Sequence, residues 1–168
     1  MSKPFFNTPE SIRLLDMEAH DWVGTPFAPR GRLKHVGVDC VGLVAGIYVA
    51  MGVIKKFEPG PYALDEGQHA KTSKVEAWFS GRREFEKCSA GVPPAPGDTL
   101  IFNLARVGHH VGLVLENRDV IHAMYRRIAM VSSLDESFYA SAIVGIYRPL
   151  QPEGTMACCR SSAGGRAT

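Results

Sequence analysis

The chain has 168 residues, 45% hydrophobic and 21% charged, which predicts one globular domain over residues 1–150 with a sizeable core. The formal net charge of +2, without any run of five clustered Lys or Arg residues, argues against a nucleic acid-binding protein. The N-terminal residues lack the apolar run of a signal peptide, and no segment approaches the ~20 apolar residues of a membrane span, so we expect synthesis in the cytoplasm.

The first part of the chain predicts a helix followed by a basic loop. Thr8, Pro9 and Glu10 form a helix start signal, and apolar residues then recur at helical spacing, which predicts a helix over about 9–22. Residues 24–38 lie between glycines and prolines and are predicted to form a loop. This loop is either a solvated surface or a binding surface for an acidic ligand, because it carries four basic side chains, Arg30, Arg32, Lys34 and His35.

A second helix is predicted to begin after Asp39, whose side chain is a good N-cap. Apolar residues follow at helical spacing, and Gly42 and Gly46 lie four residues apart. Because glycine costs a helix about 1 kcal/mol relative to alanine, this pair indicates a close approach to another backbone. We therefore expect this helix to be buried at the centre of the domain.

Beyond the second helix the pattern changes from helix to strand. We predict a loop over 53–69, a surface helix over 70–87 and a proline-rich connection over 88–97. Short β-branched segments then predict an antiparallel sheet, with strands over 98–103, 110–116, 119–124, 126–131 and 142–148. Helices followed by strands indicate an α+β fold. The tail, residues 151–168, lacks apolar periodicity and is predicted to be disordered.

One of the four cysteines is a candidate nucleophile. The cysteines stand at 40, 88, 158 and 159, which fits neither a disulfide framework nor a zinc knuckle. A free cysteine is usually a small buried hydrophobic residue. Cys40, however, follows the N-cap Asp39 in the first turn of a helix, where unpaired backbone N–H groups and the helix dipole favour a thiolate. No role is assigned to the other three cysteines.

A cysteine nucleophile needs a base and a group that orients the base. His110 and His122 lie in consecutive predicted strands. A two-residue turn at 117–118 would place the two rings on opposite faces of the sheet, whereas a three-residue turn at 116–118 would pair residue 122 with residue 112. We predict the three-residue turn, which makes the histidines diagonal neighbours on one face with Cβ atoms ~7–8 Å apart.

Two other interpretations of these residues stay open. Each histidine alone is also typical of a satisfied or solvent-facing side chain. A zinc site from Cys40, His109, His110 and His122 is conceivable, since catalytic zinc uses three protein ligands. Adjacent His109 and His110 point to opposite faces of a strand, however, and no carboxylate-bearing metal motif accompanies them. We therefore predict no metal and no cofactor.

Three segments resemble the NlpC-type papain-like cysteine peptidases of bacterial cell walls. They are VGVDCVGLV, APGDTLIF and HHVGLVLENRDVIHA, and the resemblance spans about residues 20–148. These segments match the family in residue type, order and spacing. The resemblance implies a papain-like α+β fold, in which N-terminal helices precede a sheet of five to six antiparallel strands and the nucleophile helix packs on that sheet.

The resemblance also implies a role for individual residues. Cys40 matches the nucleophile, His110 the general base and His122 the orienting third residue. His109 is the neighbour of the base, but the family's base directly precedes the strand that begins Val-Gly, and that residue is His110. Val41 departs from the family, which usually has serine after the cysteine, and this change affects a possible hydrogen bond to the substrate.

The substrate implied by the resemblance is the peptide stem of peptidoglycan. The bond hydrolysed in this family is typically the amide between γ-D-glutamate and a diamino acid, and Asp39 matches an aspartate thought to hold the free amine of the stem. Because the stem is rich in carboxylates, basic side chains are candidates for gripping it, and a tyrosine of the following loop is a candidate wall of the cleft. These substrate-binding candidates are Arg30, Arg32, Lys34, Arg126 and Tyr62.

The segment WVGTPF and the compact size resemble the subgroup encoded with phage tails and gene-transfer agents. This resemblance implies phage-tail or tail-hub proteins as partners, and a virion location with action in the periplasm or cell wall. Two alternatives remain from the sequence. One is a structural tail component with a silent site, and the other is an amidase or acyltransferase of the same fold that acts on another substrate.

Overall fold

The computed structural model describes residues 3–57, 74–104 and 108–152, with only the backbone described for Lys74, Gly108 and His109. Within these ranges the chain forms four helices, α1 (Pro9–His20), α2 (Cys40–Ala50), α3 (Lys74–Ser80) and α4 (Ser137–Ala142). It also forms eight strands, β1 (Arg32–Leu33), β2 (Gly37–Val38), β3 (Phe85–Lys87), β4 (Thr99–Leu104), β5 (Gly108–Val114), β6 (Asp119–Ala123), β7 (Ala129–Ser133) and β8 (Ile143–Pro149).

Six of the strands form one antiparallel sheet in the order β3-β8-β4-β5-β6-β7. The prediction of an α+β fold with a five- to six-stranded antiparallel sheet is confirmed. None of the helices in the described part of the chain is long and apolar enough to cross a membrane.

Both predicted N-terminal helices begin at their predicted caps. The hydroxyl of Thr8 accepts a hydrogen bond from the backbone N–H of Ser11 at 3.1 Å, and α1 buries Leu15 and Ala19. A carboxylate oxygen of Asp39 accepts a hydrogen bond from the backbone N–H of Gly42 at 2.6 Å, which caps α2. These side-chain bonds satisfy helix N–H groups that have no partner within the helix.

The two glycines of α2 allow close packing, as predicted. A Cβ atom at Gly42 would collide with the backbone carbonyl of Gly31. At Gly46 the near neighbour is a side chain, because a Cβ atom there would lie 2.6 Å from the Trp22 ring. The prediction of a backbone approach is therefore confirmed at Gly42, and α2 lies buried against β5 and β6.

Several predicted elements differ from the structure. The helix predicted over 70–87 ends at Ser80, and Phe85–Lys87 instead pairs with β8. The helix does lie at the surface as predicted, since Ala77 and Ser80 are exposed, while Phe79 on its inner side is buried and stacks on Tyr147 of β8 at 5.1 Å. The early end of the helix has a tertiary cause, because the aromatic residues of this segment pack against a strand that lies more than 60 residues later in the chain.

Other differences concern short elements. The predicted loop 24–38 contains the two-stranded pair β1–β2, in which Arg32 pairs with Val38. The strand predicted over 126–131 begins later, at Ala129, and helix α4 before β8 was not predicted. The predicted loop 53–69 is irregular as far as residue 57, and its remainder lies outside the described residues, as does most of the predicted tail.

The sheet separates two hydrophobic clusters. Odd-numbered residues of the central strands, such as Val111 and Ile121, pack with α1 and α2 in the larger cluster. Even-numbered residues, such as Phe102 and Val120, belong to the smaller cluster beside Tyr139 of α4. Because side chains alternate along a strand, His110 and His122 lie on the face of the smaller cluster.

Candidate active site

Cys40 is the first residue of α2 and is only 5% exposed. Its thiol lies near the backbone N–H of Val111 in β5, which favours the charged form of the sulfur. Pairing between β5 and β6 runs from Val114–Val120 to Gly112–His122 and stops before Val111. The thiol therefore lies near the backbone one residue along the chain from His110, whose ring is on the opposite face of the sheet, and no hydrogen bond among the described residues joins the two side chains.

The Cys40 thiol is neutral in this environment. Burial raises its pKa to about 12, the charge of Asp39 acts in the same direction, and the backbone N–H groups of Val111, Val41 and Cys40 oppose the rise only in part. This differs from the thiolate expected at a helix N-terminus. The physical reason is that removing a charge from water outweighs the helix-end donors.

The two predicted histidines are in direct contact. Nε2 of His110 lies 2.9 Å from Nδ1 of His122, with the ring planes at 74°. Residue 122 pairs with residue 112, as predicted, because the turn at Glu116–Arg118 has three residues. Asn117 and Arg118 adopt φ values of 57° and 63° in this turn, a left-handed conformation that asparagine tolerates better than most residues.

Both histidines are neutral near pH 7. His110 is 4% exposed and His122 is 1% exposed. Burial lowers the pKa of His110 to about 3, and the proximity of His122 lowers it further in the same direction. Burial alone lowers the pKa of His122 to about 4. Each ring therefore carries one proton, and one ring must donate to the other.

The ring of His122 makes two further contacts that the sequence did not predict. Nε2 of His122 lies 2.9 Å from the hydroxyl of Ser132, and the ring of Tyr139 packs against the His122 ring at 5.3 Å with the planes at 75°. Ser132 lies in β7, beyond the end of the predicted strand 126–131, and Tyr139 lies in the unpredicted helix α4. A strand predicted to extend as far as Ser133 would have placed Ser132 beside His122.

Asp39 is a cap in this structure and is fully buried. One carboxylate oxygen accepts from Gly42, and the other accepts from the backbone N–H of Arg30 at 2.9 Å. Asp39 thereby ties the start of α2 to the preceding basic loop. Its expected contact with a substrate amine stays a prediction.

The basic candidates lie in different surroundings. Arg30 has a φ of 58° and is held through its backbone by Asp39. The guanidinium of Arg32 lies 5.3 Å from the centre of the Phe57 ring. Lys34 is already paired, because its Nζ lies 2.8 Å from both Glu18 and Asp21.

The remaining candidates lie farther along the chain. The Arg126 guanidinium stacks on Tyr125 at 5.2 Å, at a backbone position with φ of 59°. Tyr62 lies outside the described residues. Among the described residues no group of three His, Cys, Asp or Glu side chains is arranged to hold a metal ion, and the side chain of His109 is not among those described.

The fold and the sequence both match known proteins. A curated relative from Haemophilus influenzae, a probable endopeptidase, is 22% identical over 140 residues, covering 82% of this chain and 74% of the relative. The structure resembles a lipoprotein-like NLP/P60 family protein from Staphylococcus aureus (TM-score 0.58, 18% identity, 90% of this chain and 45% of that chain). It also resembles the peptidoglycan hydrolase RipB from Mycobacterium tuberculosis (TM-score 0.53, 18% identity, 89% of this chain and 70% of that chain).

A third structure, an NLPC/P60 family protein from Bacillus cereus, has a TM-score of 0.55 and 19% identity over 87% of this chain and 42% of that chain. The chain therefore spans less than half the length of the Staphylococcus and Bacillus proteins, and these likenesses establish the papain-like fold. A sequence model of the NlpC/P60 family matches residues 24–148, the part of the chain that contains Cys40, His110 and His122. The chain belongs to the NlpC/P60 family.

Proposed function

We propose that this protein is a cysteine endopeptidase that hydrolyses an amide bond in the stem peptide of peptidoglycan. The observation that carries the proposal is the Cys40 thiol at a helix start, beside the backbone that follows His110, with His110 hydrogen-bonded to a second histidine. The family supports this reaction, since the Haemophilus relative is a probable endopeptidase and the Mycobacterium relative is a peptidoglycan hydrolase.

The reaction begins with proton transfer from the thiol. Nε2 of His110 is engaged by His122, so Nδ1 is the nitrogen left to accept the thiol proton. Because the His110 ring lies on the sheet face opposite α2, this transfer requires the thiol and Nδ1 to come within hydrogen-bond distance when the substrate is bound. The Cys40 sulfur attacks the carbonyl carbon as it loses the proton, and the imidazolium of His110 then protonates the leaving amine. A water molecule, activated by the same histidine, hydrolyses the acyl-enzyme and releases the acid.

The oxyanion of the tetrahedral intermediate needs hydrogen-bond donors. The backbone N–H of Cys40 lies at the start of α2, where helix N–H groups have no partner in the helix. In other enzymes the loss of one such donor costs about 2.7–4 kcal/mol of transition-state stabilisation. We assign this N–H to the oxyanion site.

The proposed substrate bond is the amide between γ-D-glutamate and a diamino acid, as the family resemblance implies. The carboxylates of the stem peptide would be bound by basic side chains. These are Arg30 and Arg32 in the loop before α2 and Arg126 in the turn before β7. Lys34 is a weaker candidate, because two carboxylates already neutralise it. Asp39 and Tyr62 complete the proposed substrate-binding residues, as the sequence predicts.

A test of the activity is mass spectrometry of purified muropeptides after incubation with the protein. The variants Cys40→Ala and His110→Ala should abolish cleavage, and Cys88→Ala is the matched control, because Cys88 lies outside the site and should leave cleavage intact. The product masses identify the bond. No cleavage by the unaltered protein, with Cys40 shown to be reduced, would contradict the proposal.

A structural role is the second candidate function. It is favoured by the burial of Cys40, which is only 5% exposed. Intact cleavage chemistry in the muropeptide test would exclude a silent site. An acyl-transfer reaction on another substrate would instead give products without the added water.

We also propose that the protein is associated with phage tails or gene-transfer agents, with tail-hub proteins as partners. The support is the WVGTPF segment and the small size of the domain. Purified particles from the source cells should contain the chain in a fixed ratio to the tail proteins, measured by quantitative mass spectrometry. Its absence from such particles would contradict the association.

A further inference from the structure

We infer that Ser132 is a positioning residue that holds His122 in the tautomer required for His110 to act as a base. In this arrangement the hydroxyl of Ser132 donates a hydrogen bond to the hydroxyl oxygen of Tyr139. This inference rests on the proposed function. It extends the site from three side chains to a chain of hydrogen bonds that ends on helix α4.

The geometry of the sheet brings Ser132 to His122. His122 pairs with Met130 and Val120 pairs with Ser132, so Ser132 is a diagonal neighbour of His122 on the same face. The Ser132 Oγ atom lies 2.9 Å from His122 Nε2. The same Oγ donates to the phenolic oxygen of Tyr139 at 3.4 Å.

The protons of the two histidines fix one direction for the chain. For Nδ1 of His110 to accept the thiol proton, the ring proton of His110 must lie on Nε2, where it is donated to Nδ1 of His122. His122 then carries its own proton on Nε2 and needs an acceptor there. Ser132 Oγ can be that acceptor only if its own hydroxyl proton points away from His122. That proton points to the phenolic oxygen of Tyr139, which accepts the hydrogen bond.

The opposite direction gives an inactive site. If Ser132 donated to Nε2 of His122, then His122 would donate from Nδ1 to Nε2 of His110. His110 would then hold its proton on Nδ1, with no lone pair available for the thiol proton. A hydroxyl can act as donor or acceptor, so the contact of Ser132 with Tyr139 biases the chain towards the active direction.

Removing the Ser132 hydroxyl should disturb this tautomer. His122 is 1% exposed, so in Ser132→Ala its Nε2–H would have no acceptor at Ser132 and little access to water. An unpaired buried donor is unfavourable, which favours the Nδ1–H tautomer instead. Ser132→Thr keeps the hydroxyl and adds only a methyl group that strands tolerate.

The decisive measurement is two-bond ¹H–¹⁵N NMR of the histidine rings, which reports the tautomer without any substrate. In the unaltered protein we expect Nε2–H on both His110 and His122, and in Ser132→Ala we expect a shift of His122 towards Nδ1–H. Ser132→Thr should restore the original signals. Ser133→Ala is the matched control, because this neighbour makes no contact with His122 among the hydrogen bonds of the described residues.

Activity on muropeptides gives the second readout. We expect kcat of Ser132→Ala to fall about 10- to 100-fold, the loss seen for hydrogen-bond partners of metal-bound histidines, with KM unchanged. Tyr139→Phe should give a smaller loss in the same direction, since it removes the acceptor of the Ser132 proton and keeps the ring. This second variant decides the question if Ser132→Ala does not fold.

The outcomes separate the inference from the function on which it rests. Unchanged tautomers in Ser132→Ala, or unchanged kcat in both variants, would overturn the role of Ser132. A protein that cleaves no muropeptide would contradict the proposed function, while the ring signals would still show whether Ser132 sets the tautomer of His122. A shift in the ring signals that Ser132→Thr reverses would support the inference.

Discussion

His110 and His122 form a buried imidazole pair, with Nε2 of one ring 2.9 Å from Nδ1 of the other. A second proton on either ring is unfavourable, because burial disfavours the charged form and the pair has no carboxylate partner among the hydrogen bonds of the described residues. A neutral pair suits the proposed role of His110 as a general base. It also links the stability of the folded chain to pH.

We expect the protein to lose stability as the pH falls below 6.5. The pKa values of His110 and His122 drop from 6.5 to about 3 and about 4 on folding, so the unfolded chain binds protons that the folded chain does not. The stabilisation is essentially full well above pH 6.5, and between pH 6.5 and 5 each histidine should remove about 1.6 kcal/mol from the free energy of unfolding.

Urea unfolding at pH 7.5, 6 and 5 measures this effect. A double variant, His110→Gln with His122→Gln, should show a shallower dependence over the same range, since carboxylates titrate mainly at lower pH. The same slope in the variant and the unaltered protein would show that the pair is not the source of the effect.

We expect Cys40 to react slowly with iodoacetamide at neutral pH. With a pKa of about 12, its thiolate form at pH 8 is about 10,000-fold less populated than the thiol, and the rate of alkylation should still rise at pH 10. The measurement uses a variant in which serine replaces the other three cysteines, with Cys40→Ser as the unreactive control. A rate that levels off below pH 8 would instead indicate a thiolate.

Asp39 has two separable effects. Asp39→Asn keeps an acceptor for the Gly42 N–H, removes the charge that raises the Cys40 pKa and turns an NH2 donor towards the Arg30 N–H, so we expect a lower Cys40 pKa and a loss of stability smaller than that of Asp39→Ala. Asp39→Ala removes the cap and should cost about 0.5–2 kcal/mol in the free energy of unfolding, or more because the Arg30 N–H also loses its acceptor.

The alkylation profile and urea unfolding measure these two effects separately. Thr8→Ala is the matched control, because it removes the cap of α1 at the same type of position and should leave the Cys40 profile unchanged. An unchanged alkylation profile of Cys40 in Asp39→Asn would mean that the charge of Asp39 does not affect the pKa of the thiol.

The ion pair between Asp98 and Arg148 should stabilise the sheet near β4 and β8. Asp98 is buried and receives two parallel hydrogen bonds from the Arg148 guanidinium, at 2.7 and 2.9 Å, and one from the backbone N–H of Ala95. Asp98→Ala should lower the free energy of unfolding by about 3–5 kcal/mol, because it leaves the guanidinium without its partner.

Urea unfolding at pH 7.5 tests this prediction. Arg13→Ala is the control, since it breaks an exposed ion pair with Glu10 and should change the stability little. A loss in Asp98→Ala no larger than that of the control would show that the pair is dispensable.

The sequence predicted the parts of the site that depend on neighbours in the chain. The start of α2 follows from Asp39, because a side chain can cap a helix only from the residue before it. The face shared by His110 and His122 follows from a three-residue turn, since turn length sets the register of the strands it joins. The order of the motifs was sufficient to indicate the family.

Tertiary structure alone decided the state of those residues. Cys40 is neutral rather than ionised because the sheet covers it, and neither the helix start nor its spacing reveals that burial. Ser132 reaches His122 only after β7 pairs with β6, and Phe85 forms a strand only because β8 lies beside it. Local hydrogen bonds and periodicity can be read from a few adjacent residues, whereas desolvation and strand pairing depend on residues that are distant in the chain.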